Sequence, residues 1–200
     1  ANYLDPLMPF YKIASADLTN VPLLRQVAKK KKPIVLSTGA SSTEEIDFAI
    51  NIIEKCDNKQ IALLHCILNY PTSNEDANLS MIKSLKENYP DTVIGYSDHT
   101  LPDKNMNVLV AAYLMGSLII EKHFTDDKTK NGNDHYHAMD MNDLKVFREK
   151  ISFFKGILGN NKSKKPISSE SISRENARRS IVLNENLKAG DIIKEKDITY

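Results

Sequence analysis

The chain has 200 residues, with 27 Lys and Arg against 26 Asp and Glu and a formal net charge of +1. That balance gives no electrostatic basis for binding nucleic acid or an anionic membrane, and the Lys29 to Lys32 run reads as a solvated helix end. No stretch reaches the roughly 20 apolar residues of a membrane span or resembles a secretory leader, and two cysteines, Cys56 and Cys66, make no disulfide framework, so reduced thiols and a cytoplasmic location are expected.

Along the chain, short β-like runs alternate with longer helical ones. FYKIAS precedes a helix around NVPLLRQVAKK, and PIVLSTG precedes one with Ile46, Ala49, Ile50 and Ile53 on one face. IALLHCIL leads to the helix NLSMIKSLKENY, TVIGYSDH to NMNVLVAAYLMG, and SLIIEKHF, after a polar loop, to MNDLKVFREKISFFKGIL. The strand runs lack clean alternation, as expected of a parallel sheet buried on both faces. Ser41, Ser42 or Thr43 is placed to cap the second helix and Asn142 or Asp143 to start the last, while Gly116 and Gly159 fall where helices should stop.

Five βα units suit either a doubly wound sheet or a (β/α)8 TIM-type barrel. Nearly every strand ends in chemistry: Lys12 and Ser15; Ser37 and Thr38; His65; Ser97, Asp98 and His99; Glu121 and His123. A barrel collects functional groups from many strand ends, whereas a doubly wound sheet concentrates them at one switch point, so the barrel is the expected fold. With eight strands needed for closure, residues 1–159 are expected to be the C-terminal portion of such a barrel, about three units short. The polar stretch at 160–178 reads as a linker, and 179–200, with its Ala-Gly-Asp turn, as the truncated beginning of a small β-rich domain.

VIGYSDHT and LIIEKHFT have the same shape, and they place His99 and His123 side by side at one sheet rim as candidates for a metal or acid/base site. Glu121 shares a strand face with His123; Lys122 points the other way and reads as a packing or salt-bridge residue. Asp98 reads as a structural partner for the loop around His99. His65 stays open between a buried supporting role and a purely structural one, and His135 and His137 have no assignable role. Ser37, Thr38 and Gly39 also fit a tight turn and helix entry.

KIAS, KPIVLSTG, LLHC followed by YPT, GYSDHT, IIEKHFT and GNDH, in this order, resemble the sialic acid synthase family, N-acetylneuraminate synthase and its legionaminic and pseudaminic acid relatives. The tail RRSIVLNENLKAGDIIKEKDIT is similar to the opening of that family's antifreeze-like (SAF) domain. The resemblance implies condensation of phosphoenolpyruvate with an N-acetylated amino sugar aldehyde, with Mn²⁺ or Mg²⁺ on His99 and His123. It further implies a phosphate cradle of Lys12, Ser15, Ser37 and Ser97, catalytic assistance from Glu121, sugar contacts from Tyr70 and Asp134, and a domain-swapped homodimer in the complete protein.

Two departures from the N-acetylneuraminate pattern stand out. Leu68 replaces an asparagine two residues before the tyrosine, and Asp17 replaces the commoner glutamate. Leucine cannot make an amide's hydrogen bonds, which favours a deoxygenated or differently acylated sugar. The competing readings are a lysine-dependent pyruvate aldolase using Lys12 with Tyr70, and a non-catalytic carbohydrate-binding fragment. Five strands with an open edge are expected to be inactive alone.

Overall fold

The computed structural model describes residues 3–160 and 163–200. The chain divides into two units, Ala1–Leu158 and Gly159–Tyr200. In the first, strands β1 (Tyr11–Ile13), β2 (Ile34–Ser37), β3 (Ile61–Cys66), β4 (Val93–Asp98) and β5 (Ile120–Lys122) form one sheet in sequential order. All four pairings are parallel. Helices α1 (Val21–Ala28), α2 (Thr43–Glu54), α3 (Ser80–Asn88) and α4 (Asn107–Leu114) make the crossovers, and α5 (Met141–Leu158) follows β5. The unit is therefore an α/β half-barrel, as the alternating pattern predicts.

The period-2 alternation of the strands sorts their side chains into two sets. Tyr11, Ile13, Ile34, Leu36, Leu63, Ile94 and Tyr96 pack with Leu24, Val27, Ile46, Ile53, Ile82 and Leu109 of the helices in the main core. Val35, Ala62 and Leu64 lie on the other face, with Ile119 packed against them. A cavity of about 930 Å³ opens there, and its lining includes Lys12 and Glu121. Gly95 is required on this face: a Cβ would meet the Ile119 carbonyl oxygen and Leu64 Cδ2, both at 2.5 Å.

Local signals fix the helix ends. Asn20 caps α1 by accepting from Leu23 N–H at 3.2 Å. Ser42 is the cap of α2, in a reciprocal capping box with Glu45. The last helix spans the segment expected of it, but its cap is not Asn142 or Asp143. Asp140, ahead of Asn142 and Asp143, accepts from both their N–H groups at 2.8 and 3.0 Å, while Asp143 accepts from Asp140 N–H at 3.0 Å. Gly116 and Gly159 both have positive φ, +99° and +62°, as helix stops require.

In the second unit a short helix, α6 (Ser171–Asn176), lies within the stretch expected as linker. Strands β6 (Val182–Leu183) and β7 (Ile198–Thr199) pair antiparallel. Gly190, at φ +99°, forms the expected turn, where Lys188 N–H donates to the Asp191 carboxylate at 2.8 Å.

Candidate active site

The polar ends of β1, β4 and β5 meet on the face opposite the helices. Ser97 pairs in register with Glu121, and its hydroxyl donates to Glu121 Oε1 at 2.7 Å. Lys12, arriving from β1, places its ammonium 3.3 Å from Glu121 Oε2. Both carboxylate oxygens are thus engaged by groups from different strands. Cys66, paired in register with Ser97, is buried, and burial pushes its thiol up, away from the reactive thiolate. Ser15 Oγ accepts from Gly39 N–H at 2.9 Å, which couples the β1 and β2 ends. Ser37 Oγ is buried without a partner among the described residues and is available as a donor.

His99 and His123 follow β4 and β5 with ring centroids 5.3 Å apart, as the matching motifs predict. Each is fixed from behind by a returning loop. Thr72 N–H donates to the His99 carbonyl at 2.9 Å, and Met139 N–H donates to the His123 carbonyl at 2.9 Å. The first loop lays Tyr70 on the His99 ring, centroids 4.0 Å apart. The second brings His137 to within 4.8 Å of the His123 ring. Tyr136 Oη donates to the Tyr70 carbonyl at 3.3 Å and ties the two loops together.

The imidazoles favour their neutral form. His99 is shifted below its ordinary value, first by burial, although its Nδ1 contacts the Ile67 carbonyl at 2.8 Å. Burial also lowers His123 and His137, opposed in each case by the Asp134 carboxylate. Asp134 Oδ1 lies 3.5 Å from His123 Nδ1 and 3.8 Å from His137 Nε2. Donor atoms of His123, Asp134 and His137 all fall within 4.8 Å of one another. His137 is fully buried, and neither ring nitrogen has a hydrogen-bond partner among the described residues. Two neutral imidazoles and a carboxylate fit a divalent cation chemically.

On the opposite strand face the neighbours of these residues do structural work. Lys122 reaches Asp98 at 2.5 Å, with both side chains 1% exposed. Asp98 also accepts from Tyr96 Oη at 2.8 Å and from the Thr100 amide and hydroxyl, both at 3.1 Å. His65 belongs to the same layer: its Nε2 lies 2.8 Å from the Ala77 carbonyl and its ring stacks on Tyr96, which makes it structural. His135 contacts the Thr125 hydroxyl at 2.8 Å and shapes the loop.

Sequence reasoning left His137 without a role. The spacing Asp134-x-x-His137 is a weak ligand signal, and only the pairing of Met139 with His123 brings it into the cluster. For the aldolase alternative, Lys12 is engaged by Glu121 and by the Ile13 carbonyl at 3.2 Å, while Tyr70 packs on His99. Leu68 is 39% exposed and close in sequence to Tyr70, on a loop beside the imidazoles.

The parallel α/β half-barrel thus gathers a lysine, serines, a carboxylate and a set of imidazoles at its strand ends. The NeuB family model matches residues 1–163. N,N'-diacetyllegionaminic acid synthase of Campylobacter jejuni is 36% identical over 96% of this chain and 57% of its own length. The enzyme of the same name from Legionella pneumophila is 38% identical over 94% of this chain and 52% of its own. The crystal structure of N-acetylneuraminic acid (sialic acid) synthetase from Leptospira borgpetersenii superposes with a TM-score of 0.75 at 35% identity, covering 86% of this chain and 60% of that one. The chain belongs to the NeuB family, the sialic-acid-type synthases, and spans about half the length of the curated relatives it matches.

Proposed function

We propose that the complete protein condenses phosphoenolpyruvate with an N-acetylated amino sugar aldehyde to give a nonulosonic acid and phosphate. The observation that carries this reading is the convergence of Lys12, Ser97 and Glu121 on one sheet face, with His99 and His123 beyond them. The new bond joins C3 of phosphoenolpyruvate to the aldehyde carbon; water then adds at C2 and the phosphate leaves. Lys12, Ser15, Ser37 and Ser97 hold the phosphate and carboxylate oxygens, which require cations and hydroxyl donors from several strands.

Glu121, oriented by Ser97 and Lys12, accepts the proton of the attacking water or positions that water. A divalent cation, Mn²⁺ or Mg²⁺, held by His99 and His123 would supply Lewis acidity toward the aldehyde oxygen. Tyr70 and Asp134, at the rim beside the imidazoles, contact the sugar. Leu68 and the N,N'-diacetyllegionaminic acid synthases among the relatives favour a deoxygenated or differently acylated sugar over N-acetylmannosamine. In this reading the five strands belong to an eight-stranded barrel. Residues 179–200 begin an antifreeze-like domain that covers the partner's barrel in a homodimer.

The test is phosphate release from phosphoenolpyruvate by the full-length protein with Mn²⁺, across a panel of N-acetylmannosamine-like sugars. Sugar-dependent release, lost with EDTA and in His99→Ala and His123→Ala, is expected. Folded, dimeric protein that releases no phosphate with any sugar would refute the synthase reading.

A further inference from the structure

We infer that His137 and Asp134 are metal ligands, so that three protein donors, His123, Asp134 and His137, hold the divalent cation that the proposed function assigns to His99 and His123, with His99 moved to the edge of the site. The inference deepens the proposed function and takes its catalytic meaning from it. The geometry stands on its own. All three donors lie within 4.8 Å of one another. His137 is fully buried, yet both of its ring nitrogens lack hydrogen-bond partners among the described residues. A buried imidazole with no partner carries a desolvation cost that coordination relieves at the ligating nitrogen.

The loop is built to deliver this residue. Met139 N–H donates to the His123 carbonyl and Thr125 N–H donates to the Met139 carbonyl, both at 2.9 Å, so the returning chain runs beside the end of β5. His135 is held aside by Thr125 at 2.8 Å, which leaves His137 as the imidazole that turns inward from this loop. The Asp134 side chain is 71% exposed, so its second oxygen remains open to a substrate hydroxyl while Oδ1 faces the two imidazoles at 3.5 and 3.8 Å.

The donor set has a consequence for the ion. Two imidazoles and one carboxylate suit Mn²⁺, Co²⁺ and Zn²⁺ better than Mg²⁺, which prefers oxygen ligands and retains its waters. Three protein donors leave positions for substrate oxygen and also bind more tightly than two. The site therefore retains a transition-metal ion in the absence of either substrate.

The experiment is a Mn²⁺ titration of the EDTA-stripped full-length protein, read by the electron paramagnetic resonance signal of free Mn²⁺, with no phosphoenolpyruvate or sugar present. Asp134→Asn and His137→Ala are each expected to weaken Mn²⁺ at least roughly tenfold, and Zn²⁺ is expected to displace Mn²⁺ at far lower concentration than Mg²⁺ does. Asp134 is exposed, so its variant decides the matter even if His137→Ala does not fold, which circular dichroism reports. Wild-type affinity in Asp134→Asn, or loss of binding confined to His99→Ala and His123→Ala, would overturn the three-donor site, as would a wild-type protein that binds no Mn²⁺. Intact Mn²⁺ binding without phosphate release would instead count against the synthase reading alone.

Discussion

Lys122 buries its ammonium 2.5 Å from the Asp98 carboxylate, and the Thr100 carbonyl accepts from the same ammonium at 2.7 Å. The pair joins β4 to β5 on the face turned toward the helices, immediately behind His99 and His123. Because each charge is enclosed, removal of one leaves the other desolvated without its partner. Lys122→Met is expected to destabilise the fold by about 3–5 kcal/mol, read as a lower urea midpoint at unchanged slope. A midpoint within error of wild type would mean that water reaches this pair.

Glu121 has no such enclosure, and the role proposed for it is chemical. Glu121→Gln keeps the shape and the Ser97 contact but gives up the charge facing Lys12. In the synthase reaction we expect kcat to fall by roughly 10²–10⁴ with Mn²⁺ affinity unchanged. A variant that keeps its turnover would remove Glu121 from the mechanism.

Gly95 tests the packing of the inner sheet face. An alanine methyl there would meet the Ile119 carbonyl oxygen at 2.5 Å and Ile119 Cβ at 2.8 Å, and backbone on the neighbouring strand yields little. Gly95→Ala should cost about 1–3 kcal/mol by overpacking, visible as a lower melting temperature. Unchanged stability would show that the start of β5 can move away.

The Tyr11 hydroxyl donates to Asp5 Oδ1 at 2.7 Å. Burial, then this bond, raises the phenol from 10.0 to about 12, so folding favours the protonated form. The stabilisation is complete below pH 10 and is lost as the pH climbs toward about 12. Melting temperatures of wild type and Tyr11→Phe, measured from pH 9 upward, should differ most below pH 10 and converge above it. Parallel curves throughout that window would rule the linkage out.

The strand–helix alternation was readable because each apolar run is bounded by its own cap or glycine, as with Ser42 and Gly116. The two histidines were readable because two neighbouring segments share one shape, and the structural role of Lys122 followed from counting by twos along β5. His65, left open by the sequence, lies on the helix side, stacked on Tyr96. The cap of α5 was misassigned because Asp140, Asn142 and Asp143 are all competent caps, and chain direction into the helix decides among them. His137 was opaque for a different reason. No periodicity governs residues 126–138, and their return to β5 rests on backbone hydrogen bonds that any side chains could make.

The strict alternation at the ends of β4 and β5 has a consequence for how substitutions in this protein will sort. Ser97, His99, Glu121 and His123 face one side, and their neighbours Asp98 and Lys122 the other, so damage to activity and damage to cellular abundance should swap from one residue to the next. A saturation scan scored for both would show a two-residue beat across SDH and EKH. Deletion of a single codon in either segment would exchange the two faces, placing the proposed catalytic groups among the helices and the buried ion pair on the inner face.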